Sequence, residues 1–405
     1  MRTRTRWLIA SCYYASQLLG ILPFWYNQQT GRVHTTRRVA ICSAATSLTL
    51  LTIIAMFLCN FDWSPQHFLA HAFHFKIRIT VFLIRISAVI ITVILNWSKR
   101  QQFMNTLNDF QIMQQKFLKN WPISREVENE YDKSIARKVI SNLLSNIFMS
   151  LELYVVSKTQ LQWSNFFITV MVLVVIVLNM ALTNFYIAIG NINVLLAILK
   201  EQLQRISLAS KDMIKLQSSS NRPAGSRLMA KGYLLAHELD ALALYQLKLW
   251  KFINRMTALY DFQGSCVILT MYITQVTVLY SCYLLLQQDY KPSNWNEMSS
   301  FVTSLAIVFY YLDMRTFRKG MFRTLDLFME IEYVLKIREL QWPVAEECLE
   351  ESFKNFSLQL AKFPVEMKLV GLFKFDRSMA FSIFGSTISN AIVLIQYDYK
   401  NNSDE

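Results

Sequence analysis

The sequence predicts an all-α membrane protein with seven transmembrane helices, a cytoplasmic N-terminus, an extracellular C-terminus and long helical extensions on the cytoplasmic side. Three observations carry that prediction. Of 405 residues, 53% are hydrophobic and only 17% charged, against about a quarter charged in soluble globular proteins, and mean hydropathy is +0.26. The apolar residues fall in charge-free blocks long enough to cross a hydrocarbon core of about 30 Å, which takes roughly 20 helical residues. Lys and Arg alternate between high and low numbers from one inter-span segment to the next, which orients the chain. This composition excludes disorder, collagen-like repeats and a disulfide scaffold. A net charge of +13 would suit nucleic acid only if it were gathered in one patch, and it is divided among several segments.

The N-terminal segment 1–38 is read as cytoplasmic. Within it, Trp7 to Tyr26 follows Arg2, Arg4 and Arg6 in the manner of a signal peptide, but no small-residue cleavage site follows. Pro23, Gln28, Gln29 and Thr30 end it, and the segment reads as an amphipathic interfacial or re-entrant helix beside the bundle. Span one (about 39–59) lies in the 23 uncharged residues between Arg38 and Asp62. Span two (about 76–97) requires that Arg85 be tolerated, and span three (about 139–158) requires the same of Glu152; segment 98–138 between them is cytoplasmic. Span four (about 164–188) falls in the 41 uncharged residues between Lys158 and Lys200, and segment 200–261 follows on the cytoplasmic side. Spans five and six occupy 262–312. The first takes the 27 uncharged residues between Asp261 and Asp289. The second is the shorter block Met298–Leu312, completed if Arg315 or Arg318 snorkels to the interface. After cytoplasmic segment 313–377, span seven (378–397) fills the 20 uncharged residues between Arg377 and Asp398, leaving 398–405 as an external tail.

Lys and Arg number six before the first span, then none, eight, one, ten, one and eleven in successive inter-span segments, with one after the last. The N-terminus is therefore inside and the C-terminus outside. That is the mirror of a G-protein-coupled receptor. All seven prolines lie outside the spans, so neither a proline-kinked last helix nor the broken helices of many transporters are present. No Gly-rich phosphate loop, HExxH, GxSxG or kinase signature occurs, so no enzyme and no cofactor is expected.

Apolar periodicity continues outside the membrane. From Leu234 to Leu247 the apolar residues recur three and four apart, and similar patterning runs through Met321–Leu340 and Cys348–Leu360. Only Gln217–Ser226 reads as a loose linker. Such stripes must bury, either within the chain or against another subunit.

Near the C-terminus, Gly371-Leu372-Phe373-Lys374-Phe375-Asp376-Arg377 leads into a span ending Ser389-Asn390-Ala391-Ile392-Val393-Leu394-Ile395-Gln396-Tyr397. This resembles the closing signature of insect gustatory receptors, Thr-Tyr, five apolar residues, then Gln-Phe. The spacing to Gln396 is intact, while Ser389, Asn390 and Tyr397 depart from the pattern. The opening Tyr13-Tyr14 to Leu18-Leu19-Gly20-Ile21-Leu22-Pro23-Phe24 is similar to that family's N-terminal segment, particularly in its bitter-type branches. The resemblance implies a ligand-gated cation channel: a homo- or hetero-tetramer with other gustatory receptors, joined by its cytoplasmic extensions in an anchor domain. It would lie in the lipid of a sensory neuron's plasma membrane and respond to a small-molecule tastant. The last helix would line the pore, with Gln396 and Tyr397 at the outer constriction and Val393, Ile392 and Ser389 deeper. Steps of three, four and seven put positions 396, 393, 392 and 389 on one helix face. Taken without the resemblance, Gln396 is better read as an interfacial or interhelical hydrogen-bonding group than as a pore residue. A metabotropic receptor of inverted topology, a non-conducting modulatory subunit and a transporter are the rival readings.

Arg85 lies roughly 15 Å inside the outer end of span two and Glu152 roughly 9 Å inside span three, and intramembrane charge marks a functional site or a buried pair. The resemblance places the ligand in the outer half of the bundle. Tyr154, Gln275, Tyr280, Tyr283, Phe301 and Ser304 are there by this topology, offering aromatic walls with a few polar groups. His67, His71 and His74 share one helical face of the first external loop, but packing is favoured over a metal site. Cys59 and Cys282, both near the outer surface, are close enough in depth to bridge, without any disulfide framework around them. Asn401-Asn402-Ser403 is a glycosylation sequon on the tail, too near the membrane and the terminus for use.

Overall fold

The computed structural model describes residues 3–27, 32–61, 73–156, 164–219, 226–287, 294–341, 347–364, 368–369, 373–374 and 377–403. The helices in chain order are α1 (Thr3–Leu18), α2 (Arg37–Asn60), α3 (Phe73–Ser98), α4 (Arg100–Asn120), α5 (Arg125–Val156), α6 (Asn165–Ser219), α7 (Ser226–Gln287), α8 (Asn294–Gln341), α9 (Glu347–Lys362) and α10 (Arg377–Ser403). Two short antiparallel hairpins join them, β1 (Trp25–Asn27) with β2 (Arg32–His34), and β3 (Lys368–Leu369) with β4 (Phe373–Lys374).

The long helices exist because nothing interrupts them: among the described residues no proline falls inside a helix. α6 has 55 residues and α7 has 62, so at 1.5 Å per residue they run about 80 and 90 Å, more than twice a hydrocarbon core. They must project beyond any membrane they cross.

Among the described residues, five helices are long and apolar enough to span, over Arg37–Asn60, Ile79–Ser98, Asn165–Lys215, Leu228–Tyr280 and Arg377–Lys400. These hold expected spans one, two, four, five and seven. Spans three and six fall in α5 and α8, which do not meet the same measure of apolarity. Their polar residues face protein instead: Asn179 donates to Asn146 at 2.6 Å, and Lys138 of α5 meets Asp313 of α8 at 2.6 Å. A helix whose polar groups are paired inside a bundle need not be apolar all round.

The core forms around α6. Its apolar window is 56% buried, against 28% for α2 and only 12% for α10, with Val174, Val177, Leu196, Ile198, Leu203 and Ile206 fully enclosed. Beyond the apolar zone α4, α7, α8 and α9 form a second packed region. Phe110 stacks on Phe252 at 4.3 Å, and Phe117 and Trp121 close on Tyr245. Leu349, Phe353 and Phe356 of α9 are buried there, while Gln359 donates to Ala243 O and Gln246 Oε1. The stripes on these helices are therefore covered within the chain at Leu235, Leu239, Leu242, Leu327 and Ile331, whereas Leu234, Leu244, Tyr333 and Leu358 remain exposed.

The N-terminal helix is shorter than the sequence reading. It stops at Leu18 and does not reach Tyr26, because Gly20 takes φ +71° and turns the chain. A Cβ at Gly20 would stand 2.8 Å from Ser47 Oγ, so glycine is needed there for space as well as for conformation. The first hairpin is held on α4 by Asn108, which accepts from Val33 N at 2.7 Å and donates to Val33 O at 2.9 Å.

Candidate functional site

Arg85, in the middle of apolar α3, has to find an acceptor. α7 supplies it. Thr270 and Thr274 lie one turn apart on one face of α7, and Arg85 Nη2 donates to Thr274 Oγ1 at 3.0 Å while Thr274 donates back to Thr270 O at 2.7 Å. Tyr310 of α8 reaches across to Met271 O at 3.3 Å. Asn179 of α6 completes the polar rim of a cavity of about 30 Å³ among α3, α5, α6, α7 and α8, with Met149, Met271 and Met314 in its wall. That is room for about one water, but methionine walls deform readily. Glu152 acts on Arg85 as a favourable nearby charge, while the guanidinium's hydrogen bond goes to the threonine.

The other sequence candidates do not all gather here. Gln275 and Tyr283 are half-buried on α7, and Tyr280 is 1% exposed with its ring 6.5 Å from that of Tyr283. Its hydroxyl is set against Asp398 of α10. Tyr154, Phe301 and Ser304 are exposed on the outside of the bundle, Ser304 donating to Ser300 O of its own helix. Thr270, Thr274, Tyr310 and Asn179 escaped the sequence reading. The available signal was the pair of hydroxyls four residues apart, on one helical face of a charge-free span.

α10 packs on α7 through a narrow seam in which Thr387, Ala391 and Asp398 are buried. Polar contacts mark it: Tyr272 and Ser386 hydroxyls lie 2.7 Å apart, and Asn390 donates to both. Asn390, which departs from the gustatory signature, is thus one of the residues that tie α10 to α7. Most of the other described side chains of the helix are exposed in the single chain, with Met379, Ile383, Leu394 and Ile395 half-buried. Ser389, Ile392, Val393, Gln396 and Tyr397 all stand on that outward side, together with Phe381 and Phe384.

Comparison with known proteins fits this architecture. A family model described as the 7tm Chemosensory receptor matches residues 9–401. The chain belongs to the 7tm chemosensory receptor family. Among relatives of this chemosensory receptor are two from Drosophila melanogaster. "Putative gustatory receptor 59d" is 23% identical, covering 96% of this chain and 97% of the relative. "Putative gustatory receptor 36a" is also 23% identical, with the same coverage. Its fold is that of the olfactory receptor OR5 from Machilis hrabei in complex with eugenol, at TM-score 0.59, 11% identity, and coverage of 97% and 99% of the two chains.

The receptor also holds a buried ion pair that the sequence concealed. Lys138 Nζ meets Asp313 Oδ2 at 2.6 Å with both side chains at 1% exposure or less, Ser141 Oγ donates to Asp313 Oδ1 at 2.6 Å, and the ammonium lies 5.7 Å from the Phe317 ring centroid. Read along the chain, Lys138 is one of eight basic residues in a cytoplasmic segment and Asp313 ends a span, 175 residues away. One turn or two nearer the α5 N-terminus, Ser134 bonds Tyr186 at 2.6 Å and Tyr131 donates to Asn191 at 3.0 Å. Burial pushes the Tyr131 phenol well above its usual range, so it is a neutral donor.

His67 and His71, the side chain of His74, and the side chains of the sequon lie outside the described residues. Cys59 and Cys282 are both free thiols, so the suggested bridge is not formed. No cluster of metal-ligating side chains occurs among the described residues.

Proposed function

We propose that this receptor is one subunit of a tetrameric, ligand-gated, non-selective cation channel that senses a small-molecule tastant, of bitter or aversive type, at the plasma membrane of a gustatory neuron. The chain crosses the membrane seven times with its N-terminus inside and C-terminus outside, and α4 with the extramembrane parts of α6–α9 forms the anchor. The observation that carries this reading is α10: an apolar, span-length helix only 12% buried by its own chain. Four such helices around an axis would cover one another and give each a pore-facing stripe. Gln396 and Tyr397 would form the outer ring, with Val393, Ile392 and Ser389 below it, a mixture that closes by dewetting and conducts when widened.

The ligand would enter the Arg85–Thr274–Tyr310 cleft. Its chemistry favours a small, largely apolar molecule with one hydrogen-bonding group, the kind that eugenol represents for the Machilis receptor. The cleft holds about 30 Å³, so the ligand must bind a wider form more tightly, and that difference in affinity drives the shift. The test is an outside-out patch from cells expressing this chain, alone and with partner receptors, under bitter and sweet compounds without added nucleotide. Ligand-evoked cation current whose permeability or block changes in Gln396→Ala is the expected result. Surface-delivered receptor that stays silent in every combination, or current that depends on added nucleotide, would overturn it.

A further inference from the structure

A cavity of about 450 Å³ opens between α5, α6 and α8, well apart from the Arg85 cleft. Its rim carries four cations, Lys133 and Arg137 from α5 and Lys319 and Arg323 from α8, and only two acids, Glu130 and Asp326. Both acids are already engaged. Glu130 lies 3.5 Å from Arg323 Nε, and Asp326 accepts from Arg377 at 2.6 Å. Lys133, Arg137 and Lys319 are exposed and have no carboxylate partner among the described residues.

The cavity is built as well as charged. Gly320 lets the α8 backbone lie directly on the Tyr186 ring, where a Cβ would come to 2.2 Å of Cε2, and Asn193 clamps the same turn by donating to Gly320 O at 3.1 Å while accepting from Thr324 at 2.7 Å. The floor is thus neutral and hydrogen-bonded, leaving the charge on the rim unbalanced. Concave, basic, hydrogen-bonding surface of this size is what a phosphate monoester on a polar ring requires.

We propose that this cavity binds the phosphorylated headgroup of an inositol phosphate, carried by a lipid of the inner leaflet or free in the cytoplasm. The placement rests on the topology given under the proposed function. Lys133 is five residues before Lys138 and Lys319 six after Asp313, about 8–9 Å along each helix from the buried pair toward the cytoplasm, which is headgroup depth for spans ending there. Phosphate held between α5 and α8 would stabilise whichever state keeps these helices at this separation.

The experiment uses the purified full-length receptor, so it reads binding whether or not the chain conducts. Native mass spectrometry and thermal protection are measured with dioctanoyl phosphatidylinositol 4,5-bisphosphate, with free inositol 1,4,5-trisphosphate, and with dioctanoyl phosphatidylcholine. The expected result is saturable binding of a phosphorylated probe, weakened about fivefold by each of Lys133→Gln, Arg137→Gln and Lys319→Gln and roughly a hundredfold by all three. Lys251→Gln, remote from the cavity, leaves binding unchanged, and Arg137→Lys retains most of it. Preference for the lipid probe assigns the site to the membrane, and equal binding of the free headgroup assigns it to a soluble phosphate. Wild-type affinity in the triple variant, or phosphatidylcholine binding as well as the phosphoinositide, would overturn the proposal.

Discussion

Removing one member of the Lys138–Asp313 pair should destabilise the receptor far more than removing both. At 2.6 Å the attraction is about 6 kcal/mol with an effective dielectric constant near 20, and dehydrating the ions costs several kcal/mol each. The pair therefore gains little over an apolar replacement, while an isolated ion is expensive, at about 3–5 kcal/mol. Asp313→Asn leaves an ammonium with no exposure and the Phe317 ring, the Cys12 thiol and neutral oxygens beside it. The loss is capped by the alternative of neutralising the lysine, which at pH 7 costs about 4–5 kcal/mol from an ordinary value near 10.4. Lys138→Met strands the carboxylate with Ser141. In the double variant Lys138→Met/Asp313→Leu, Ser141 keeps its bond to the residue 138 carbonyl at 3.0 Å, and stability should return to within about 2 kcal/mol of wild type. The assay is loss of the monodisperse chromatographic peak on heating, with half-life at fixed temperature where unfolding is irreversible. A second signature is pH: raising it from 7 to 9 should recover up to about 1.4 kcal/mol per unit in Asp313→Asn and nothing in the double. A double variant no more stable than the worse single, or singles within about 0.5 kcal/mol of wild type, would refute this account.

Three further outcomes follow from individual contacts. Gly320→Ala places a methyl 2.2 Å from Tyr186 Cε2 and should cost about 1–3 kcal/mol in the same thermal assay, with Tyr186→Leu in the Gly320→Ala background restoring part of it. Asn390→Leu removes the tie to Tyr272 and Ser386, and at about 1 kcal/mol should move the half-maximal ligand concentration about fivefold in patch recordings without abolishing current. Burial opposes ionisation of Glu330, but Lys200 at 2.7 Å and Arg323 at 3.1 Å outweigh it and hold the carboxyl below 4.5. Its stabilisation is therefore present above pH 4.5 and lost as the pH falls below it, so Glu330→Gln should flatten that part of the stability profile.

The sequence was most informative where a single property repeats along one helix. Charge-free blocks located α2, the core of α6 and α10, and the three-and-four spacing from Leu234 to Leu247 picked out a helix whose Leu239 and Leu242 are indeed fully buried. It was least informative where two helices solve a problem together. Arg85 looked like a group seeking the carboxylate of Glu152, yet its hydrogen bond goes to Thr274, 189 residues away. α5 and α8 read as imperfect spans because of Glu152 in the first and the short block before Arg315 in the second, and the partners that satisfy their Asn146 and Asp313, Asn179 and Lys138, cannot be read from either helix alone. Periodicity reports which face of a helix is buried, not what lies opposite it. Gly20 shows the same limit on a small scale, since the pattern carries a helix through it to Tyr26 and nothing in the chain points to the Ser47 side chain that fills the space beside it.

α7 is the element through which ligand and gate would communicate, and its helical geometry makes this testable. Thr270 and Thr274 face the Arg85 cleft, while Tyr272, two residues from each, is turned about 160–200° away and meets Ser386 and Asn390 of α10. One turn of helix thus carries the cleft on one side and the α10 seam on the other. With 62 residues and no proline, α7 would act at this level as a rod, so on the proposed mechanism a widened cleft would displace the seam. The two sides should then separate experimentally. Thr274→Val removes Arg85's acceptor and should weaken ligand binding itself, measured on purified receptor. Tyr272→Phe leaves the cleft intact and should shift the half-maximal concentration for current while leaving the binding constant of the purified protein within about twofold, since one lost hydrogen bond is about 1 kcal/mol of gating energy. Equal changes in binding and gating for both variants would show that α7 does not divide the labour in this way.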